Sequence, residues 1–225
     1  MPNLAASPVV LTSGGANSNT LTTSSFTPAD GEVIVVKLAT SDGTLIMGAP
    51  TGGSLSFGSP KVFKTPGGFA GSCAIYAVKV GTSPGSMTLA STPTGVIEHS
   101  MCVERWINAD LAGTPATGSA QGFSGAPNSS LTSTGTASVV SWVASDVQST
   151  DPASRAYLSS AIEDGIDDSH GSANGVHYYA WQTAPTAGSQ AFGLSAPTPT
   201  QYVIAGIEII DVPVTWTFGY DVTIG

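Results

Sequence analysis

The sequence predicts an all-β protein, an antiparallel β-sandwich or jelly-roll-like fold, from its low charge, its turn residues and its short apolar runs. Only 9% of the 225 residues are Asp, Glu, Lys or Arg, against about 25% in ordinary soluble domains. Exposed helix faces draw heavily on such residues, so helices are disfavoured. The 27 glycines and 15 prolines supply turns between short runs rich in Val, Ile, Thr and aromatic residues.

About ten to thirteen short strands are predicted, at near-regular spacing. Residues 32–39 and 201–211 are apolar on both faces, which is typical of central strands covered on both sides. Residues 156–163 fit either a strand or one short helix. The remaining predicted strands span residues 9–11, 19–26, 54–57, 61–64, 72–80, 86–90, 97–107, 137–145, 176–183 and 190–195.

Residues 1–211 are predicted to form a single β-sandwich domain, followed by a C-terminal extension over residues 212–225. Residues 108–136 are almost all Gly, Ala, Ser, Thr and Pro. They fit a long surface loop better than an interdomain linker, because each half would be small alone. The extension carries three aromatic interface candidates that would dock on a neighbour by strand addition: Trp216, Phe218 and Tyr220.

The acidic charge balance excludes some partners. Six Lys and Arg against 15 Asp and Glu give a net charge of −9, which disfavours nucleic acid and anionic membranes. No apolar stretch reaches the roughly 18 residues of a membrane helix. The N-terminus lacks the basic start and apolar run of a secretory signal, so we expect a soluble protein made in a cytoplasm.

Two cysteines, Cys73 and Cys102, each lie in a predicted strand with apolar neighbours. We expect buried free thiols, because a disulfide would need the two strands to be adjacent. Neither cysteine has metal-ligand spacing around it.

No pattern in the chain predicts catalysis or a cofactor. Residues 81–85 match the G-x-S-x-G nucleophile motif, but Pro84 lacks the N–H that an oxyanion hole needs, so a hairpin turn is predicted. Glu98 and Glu104 share one face of a strand with Cys102, and we interpret them as a solvent-facing row rather than a glycosidase pair. Arg105, on the opposite face, is expected to pair with an acid on a neighbouring strand.

An acidic cluster at residues 163–171 contains the metal candidates Asp164, Asp167 and Asp168. Oxygen-rich loops can hold calcium, but the spacing departs from the calcium-loop motif, and a solvated acidic loop is the favoured interpretation. His177, Tyr179 and Trp181 share one strand face. They are expected in the core or a subunit interface, although an exposed stripe of this kind would stack on sugars.

The order of features resembles the β-sandwich domains of minor tail and other virion surface proteins from tailed bacteriophages of actinobacteria. The resemblance covers residues 20–211. It is carried by the Phe26–Val36 segment FTPADGEVIVV, the strand around Tyr76, the Gly/Ala/Ser/Thr-rich middle, the strand at residues 139–145 and the closing Ile207-Glu208-Ile209.

This resemblance implies a non-enzymatic virion structural protein, foremost a minor tail protein at or near the tail tip, with a capsid decoration protein as the alternative. Its partners would be other virion proteins and copies of itself. A carbohydrate-binding module or adhesin for a host-surface glycan is the second alternative. It would need Trp106, Tyr179, Trp181 or Trp216 exposed. A hydrolase would need an acid–base pair or metal site, and neither is predicted.

Overall fold

The computed structural model describes residues 1–12, 20–41, 47–64, 71–95, 98–111, 114–135, 137–147, 152–168, 175–184, 186–198 and 201–212. Within these ranges one short 3-10 turn accompanies the strands, which confirms the predicted all-β class. The strands are β1 (Asn3–Leu4), β2 (Val9–Thr12), β3 (Leu21–Thr22), β4 (Val33–Thr40), β5 (Val62–Lys64), β6 (Ser72–Lys79), β7 (Ala90–Ser91), β8 (His99–Ile107), β9 (Ala109–Asp110), β10 (Thr117–Gly122), β11 (Asn128–Ser133), β12 (Ser138–Val147), β13 (Ala156–Tyr157), β14 (Ile162–Asp167), β15 (Val176–Ala184), β16 (Gly188–Ala196) and β17 (Gln201–Asp211).

Two large antiparallel sheets form the sandwich. The first has the order β1-β8-β4-β6-β5, with β2 also paired to β8. The second has the order β10-β17-β12-β15-β14, with β9 also paired to β17. A three-stranded sheet, β11-β16-β13, and the β3–β7 pair complete the described strands.

Each large sheet is covered by apolar side chains on both faces. In β4, Val35 packs in the cluster between the two sheets, while Val36 packs in a second cluster on the outer face of the first sheet. A third cluster joins Trp142 of the second sheet to Phe192 of the three-stranded sheet. This two-sided burial explains why residues 32–39 and 201–211 are apolar on both faces, as the sequence predicted.

The predicted long loop at residues 108–136 is wrong, because β9, β10 and β11 lie inside it. β10 pairs with β17 along its whole length, and β11 does the same with β16. Their small residues do not signal a strand, but they permit close layer packing. At Gly118, an added Cβ would lie 2.3 Å from the carbonyl oxygen of Ser130.

Three smaller predictions also change. Residues 54–57 form no strand, although Phe57 is buried in the core from an irregular segment. Residues 86–90 make two isolated bridges, Phe26 to Met87 and Thr51 to Ala90, and only Ala90 enters a strand, β7. The ambiguous segment at residues 156–163 divides between β13 and the start of β14. Beyond Val212, the predicted C-terminal extension lies outside the described residues.

Gly206 gives the outer face of the second sheet a recess for an aromatic ring. It pairs across the ladder with Gly118, and the buried ring of Phe192 fills the space above both. A Cβ at Gly206 would lie 2.6 Å from the ring, so the three-stranded sheet can approach this closely only because side chains are missing there.

We therefore predict that Gly206→Ala lowers the free energy of unfolding by about 1–3 kcal/mol through overpacking against Phe192. Gly85→Ala is the matched control, because its added Cβ would meet nothing within 4 Å. The control should change stability by less than about 0.5 kcal/mol. Urea unfolding measures both, and equal effects of the two substitutions would contradict the close-approach explanation.

Candidate functional site

The most unusual side chain in the core is Lys37, which lies in the middle of β4 with no solvent exposure. Residues alternate between the two faces of a strand. Lys37 therefore shares the face of Val35 and Ala39, which point toward the second sheet. Its Nζ donates to Glu104 Oε1 at 2.6 Å, to Asp164 Oδ2 at 2.5 Å and to the Ala180 carbonyl oxygen at 3.3 Å.

Glu104 approaches from the neighbouring strand β8, on the same inward face as Cys102 and Trp106. Its side chain is fully buried. Oε2 accepts hydrogen bonds from Trp106 Nε1 at 2.9 Å and from Ser141 Oγ at 2.7 Å. With Oε2 held in this way, Oε1 faces Lys37.

Asp164 reaches the same point from the second sheet by means of a β-bulge. In the β14–β15 ladder, Glu163 pairs with Ala180 and Gly165 pairs with Tyr179, which leaves Asp164 as the extra residue. A bulge can redirect a side chain out of the normal alternation. The Asp164 side chain is 1% exposed and contacts Lys37 Nζ, so the bulge turns an edge-strand carboxyl into the core.

The three groups of this cluster shift one another's protonation. Burial favours a lower pKa for Lys37, but Asp164 and Glu104 outweigh it and hold that pKa above its ordinary value. Burial favours a higher pKa for Glu104, but Lys37 outweighs it and the pKa is lowered. Burial raises the pKa of Asp164 to about 8, and the nearby Glu104 carboxylate adds to the rise. Near neutral pH the cluster therefore holds one ammonium, one carboxylate and one neutral carboxylic acid, with no net charge.

Aromatic rings surround the cluster. The Tyr179 ring centroid lies 5.9 Å from Lys37 Nζ, and Trp106 packs edge-on against Trp181 with ring centroids 5.2 Å apart. Among the described residues, two of the surface pockets open elsewhere: one of about 130 Å³ beside Phe26, the other of about 310 Å³ beside Leu55. None of the three ionisable side chains of the cluster lines either pocket.

Two sequence interpretations of acidic residues are wrong here. Glu104 does not belong to a solvent-facing row, because its face of β8 is turned toward the second sheet. Within the favoured solvated acidic loop, residues 163–167 instead lie in strand β14, and both Asp164 and Asp167 have buried side chains.

The metal candidates do not converge on one point. Asp164 faces Lys37, the side chain of Asp167 lies 3.7 Å from His177 Nδ1, and Asp168 is exposed. Among the described residues, no group of three His, Cys, Asp or Glu side chains has the arrangement of a metal site. The calcium hypothesis therefore gains no support from this geometry.

His177 belongs to a second polar group between the sheets. Its Nδ1 lies 2.6 Å from Ser100 Oγ, which is in turn 2.5 Å from the Tyr179 hydroxyl. Both His177 and Tyr179 are fully buried, and Trp181 is partly buried against the same core. This confirms the core position expected for the stripe.

The described aromatic residues among those proposed for sugar stacking pack in the core or against it. Trp106 and Tyr179 are fully buried, and Trp181 is partly buried. Trp216 and the other two interface candidates, Phe218 and Tyr220, lie outside the described residues.

The remaining sequence candidates have structural positions. Cys73 and Cys102 are free and buried, as predicted, because their strands flank β4 on opposite sides. Arg105 forms the expected ion pair, with Glu32 just before β4, at 2.9 Å. The G-x-S-x-G segment at residues 81–85 is an irregular turn with no helix after it.

Glu208 is another buried carboxylate that sequence reasoning missed. It lies in β17 and is enclosed by the turn between β11 and β12. The hydroxyls of Ser133, Thr134 and Ser138 and the backbone N–H groups of Thr134 and Gly135 donate to its two oxygens. Burial favours a higher pKa for Glu208, but these hydrogen bonds outweigh it and lower that pKa.

Comparison with known proteins identifies no relative. No family model matches the chain, and neither curated proteins nor solved structures contain a significant match. Among the described residues, no helix is long and apolar enough to cross a membrane.

We predict that Lys37→Met lowers the free energy of unfolding by about 3–5 kcal/mol, because it leaves buried carboxyl groups without their cation. Adding Glu104→Gln and Asp164→Asn to Lys37→Met should recover part of this loss, since the uncompensated charge is then removed. Chemical denaturation of the single and triple variants measures the difference. A triple variant less stable than the single one would contradict this account.

A second prediction concerns Glu208→Gln, which should destabilise the fold at neutral pH by about 2 kcal/mol through loss of hydrogen bonds to a charged group. The folded-state pKa of Glu208 is lowered. Its stabilising contribution is therefore complete above the ordinary pKa of about 4.3 and is lost as the pH falls through the folded pKa. The difference between wild type and variant should shrink in acid.

The control for this series is Asp168→Asn, which neutralises an exposed carboxylate. Urea unfolding at several pH values should show little effect at position 168. A Glu208→Gln effect that stays constant from neutral pH into acid would contradict the role assigned to the charge.

Proposed function

We propose that this chain is a non-enzymatic structural protein of a tailed-bacteriophage virion, foremost a minor tail protein at or near the tail tip. The proposal rests on the location of the ionisable side chains in the fold. Lys37, Glu104 and Asp164 are enclosed between the two large sheets rather than displayed in a cleft. Enzymes acting on external substrates present such groups in an accessible concave site.

The distribution of the cations also supports a role in assembly. In the part of the chain that the structure describes, four of the six Lys and Arg residues form ion pairs: Lys37, Lys79, Arg105 and Arg155. A surface with few charges is less costly to desolvate against a neighbouring subunit. This property fits other virion proteins and copies of the chain itself as partners.

A capsid decoration protein is the alternative within the same class, since it would need the same surface. The carbohydrate-binding alternative has lost the exposure of Trp106 and Tyr179 on which it depended. No described feature favours it over the structural role.

Purified particles of the phage that encodes this chain, labelled with a gold-tagged antibody and viewed by electron microscopy, test the proposal. We expect label at the tail tip. Label over the head would favour decoration, and particles without label would contradict a virion role. Antibody preabsorbed with the purified chain is the control for unspecific labelling.

A further inference from the structure

We propose that Lys37 and Asp164 become joined by an intramolecular isopeptide bond between Lys37 Nζ and Asp164 Cγ, with Glu104 carrying the protons. Nζ lies 2.5 Å from Asp164 Oδ2. This is shorter than the roughly 2.7–2.9 Å of an ordinary charge-assisted hydrogen bond. Because a carboxyl carbon is about 1.2 Å from its oxygen, Nζ lies within about 3.7 Å of Cγ. That separation is close to the near-attack distance of about 3–3.5 Å.

Glu104 is positioned as the proton carrier. Trp106 and Ser141 hold its Oε2, and its Oε1 contacts Lys37 Nζ at 2.6 Å. A general base must lie within hydrogen-bonding reach of the proton that it accepts. Among the described residues, the other carboxyl group in contact with Nζ is that of Asp164, the acyl donor itself.

The reaction balances without an oxidant, a reductant or a cofactor. Starting from the ammonium, the Glu104 carboxylate and the neutral Asp164 acid, one proton passes from Nζ to Glu104 and leaves a neutral amine. The amine lone pair attacks Asp164 Cγ and forms the N–C bond. A second proton leaves Nζ for a departing Asp164 oxygen, with Glu104 as relay, and that oxygen leaves as water. The products are a secondary amide, one water and a neutral Glu104 acid.

The surroundings favour condensation over hydrolysis. Lys37 and Glu104 are fully buried and the Asp164 side chain is 1% exposed, so water is scarce at the site. Asp164 Oδ1 is buried without a hydrogen-bond partner in the described part of the chain, which is costly for a polar atom. Condensation removes one carboxyl oxygen and the buried ammonium together, and both carry a desolvation cost.

The bond would join the two sheets covalently. Lys37 lies in β4, a central strand of the first sheet, and Asp164 in β14, an edge strand of the second. Edge strands open more readily than central ones, and β14 is also interrupted by its bulge. Fixing it to β4 would close a loop from residue 37 to residue 164 and restrict the unfolded chain. This inference does not depend on where the protein acts.

Intact-mass measurement of the full chain, purified and denatured, tests the bond directly. We expect a mass lower than that of the sequence by one water molecule. Proteolysis should yield a branched peptide that links Lys37 to Asp164. A wild-type mass equal to that of the sequence would overturn the proposal.

Substitutions distinguish this bond from another reaction that would also remove one water molecule. Asp164 precedes Gly165, and a cyclic imide at that step would also lose water, but without Lys37. Lys37→Arg and Asp164→Ala should both restore the full mass. A water deficit that persists in Lys37→Arg would identify the imide and overturn the bond. Asp167→Asn, on the same strand and buried but facing His177, is the matched control and should keep the deficit.

Glu104→Gln tests the role of the proton carrier. The substitution keeps the shape of the side chain, so circular dichroism should report a folded β protein. The measured mass should stay at that calculated from the variant sequence, or the loss of water should be far slower than in wild type. A folded Glu104→Gln variant that condenses as fast as wild type would overturn the assignment to Glu104.

Discussion

An ammonium group taken out of water must be matched by negative charge at hydrogen-bonding distance, and Lys37 imposes this requirement on the whole sandwich. Its first partner, Glu104, comes from the neighbouring strand and its second, Asp164, from the opposite sheet. The relative position of the two sheets is therefore tied to the contact between Lys37 of the first sheet and Asp164 of the second. The bulge in β14 is needed for this contact, because without the extra residue the Asp164 carboxyl would not turn inward.

The low content of charged residues agrees with the layered packing of the sheets. Apolar clusters lie between the two large sheets and on both of their outer faces, so much of each sheet is interior. Ionisable side chains of the interior include the Lys37 cluster and Glu208, together with Glu32, Asp146 and Asp167. Much of the polar bonding of the described residues thus lies in the interior, where it orients strands, which agrees with the proposed structural role.

The fold class and the central strands could be predicted from sequence because alternation and two-sided apolar runs are local signals. β10 and β11 could not, since their Gly, Ser and Ala residues carry no strand signal and pair only through distant strands. The cluster of Lys37, Glu104 and Asp164 could not be predicted from the sequence for a similar reason. Lys37 inside the apolar run VIVVKLA was the available clue, because a lysine covered on both faces needs a partner. Its partners at residues 104 and 164 are distant in sequence. The alternation that places Glu104 on one strand face with Glu98 also fits a row of residues that faces solvent.

Nitrogen NMR on protein labelled with ¹⁵N at the lysine side chains tests the central claim most directly. The chain has four lysines, and Lys37 is the fully buried one among them. We predict that one lysine nitrogen is protected from hydrogen exchange with solvent and resonates as an amide, while the other three exchange as ordinary ammonium groups. Four freely exchanging ammonium signals would contradict both the enclosed cluster and the bond built on it.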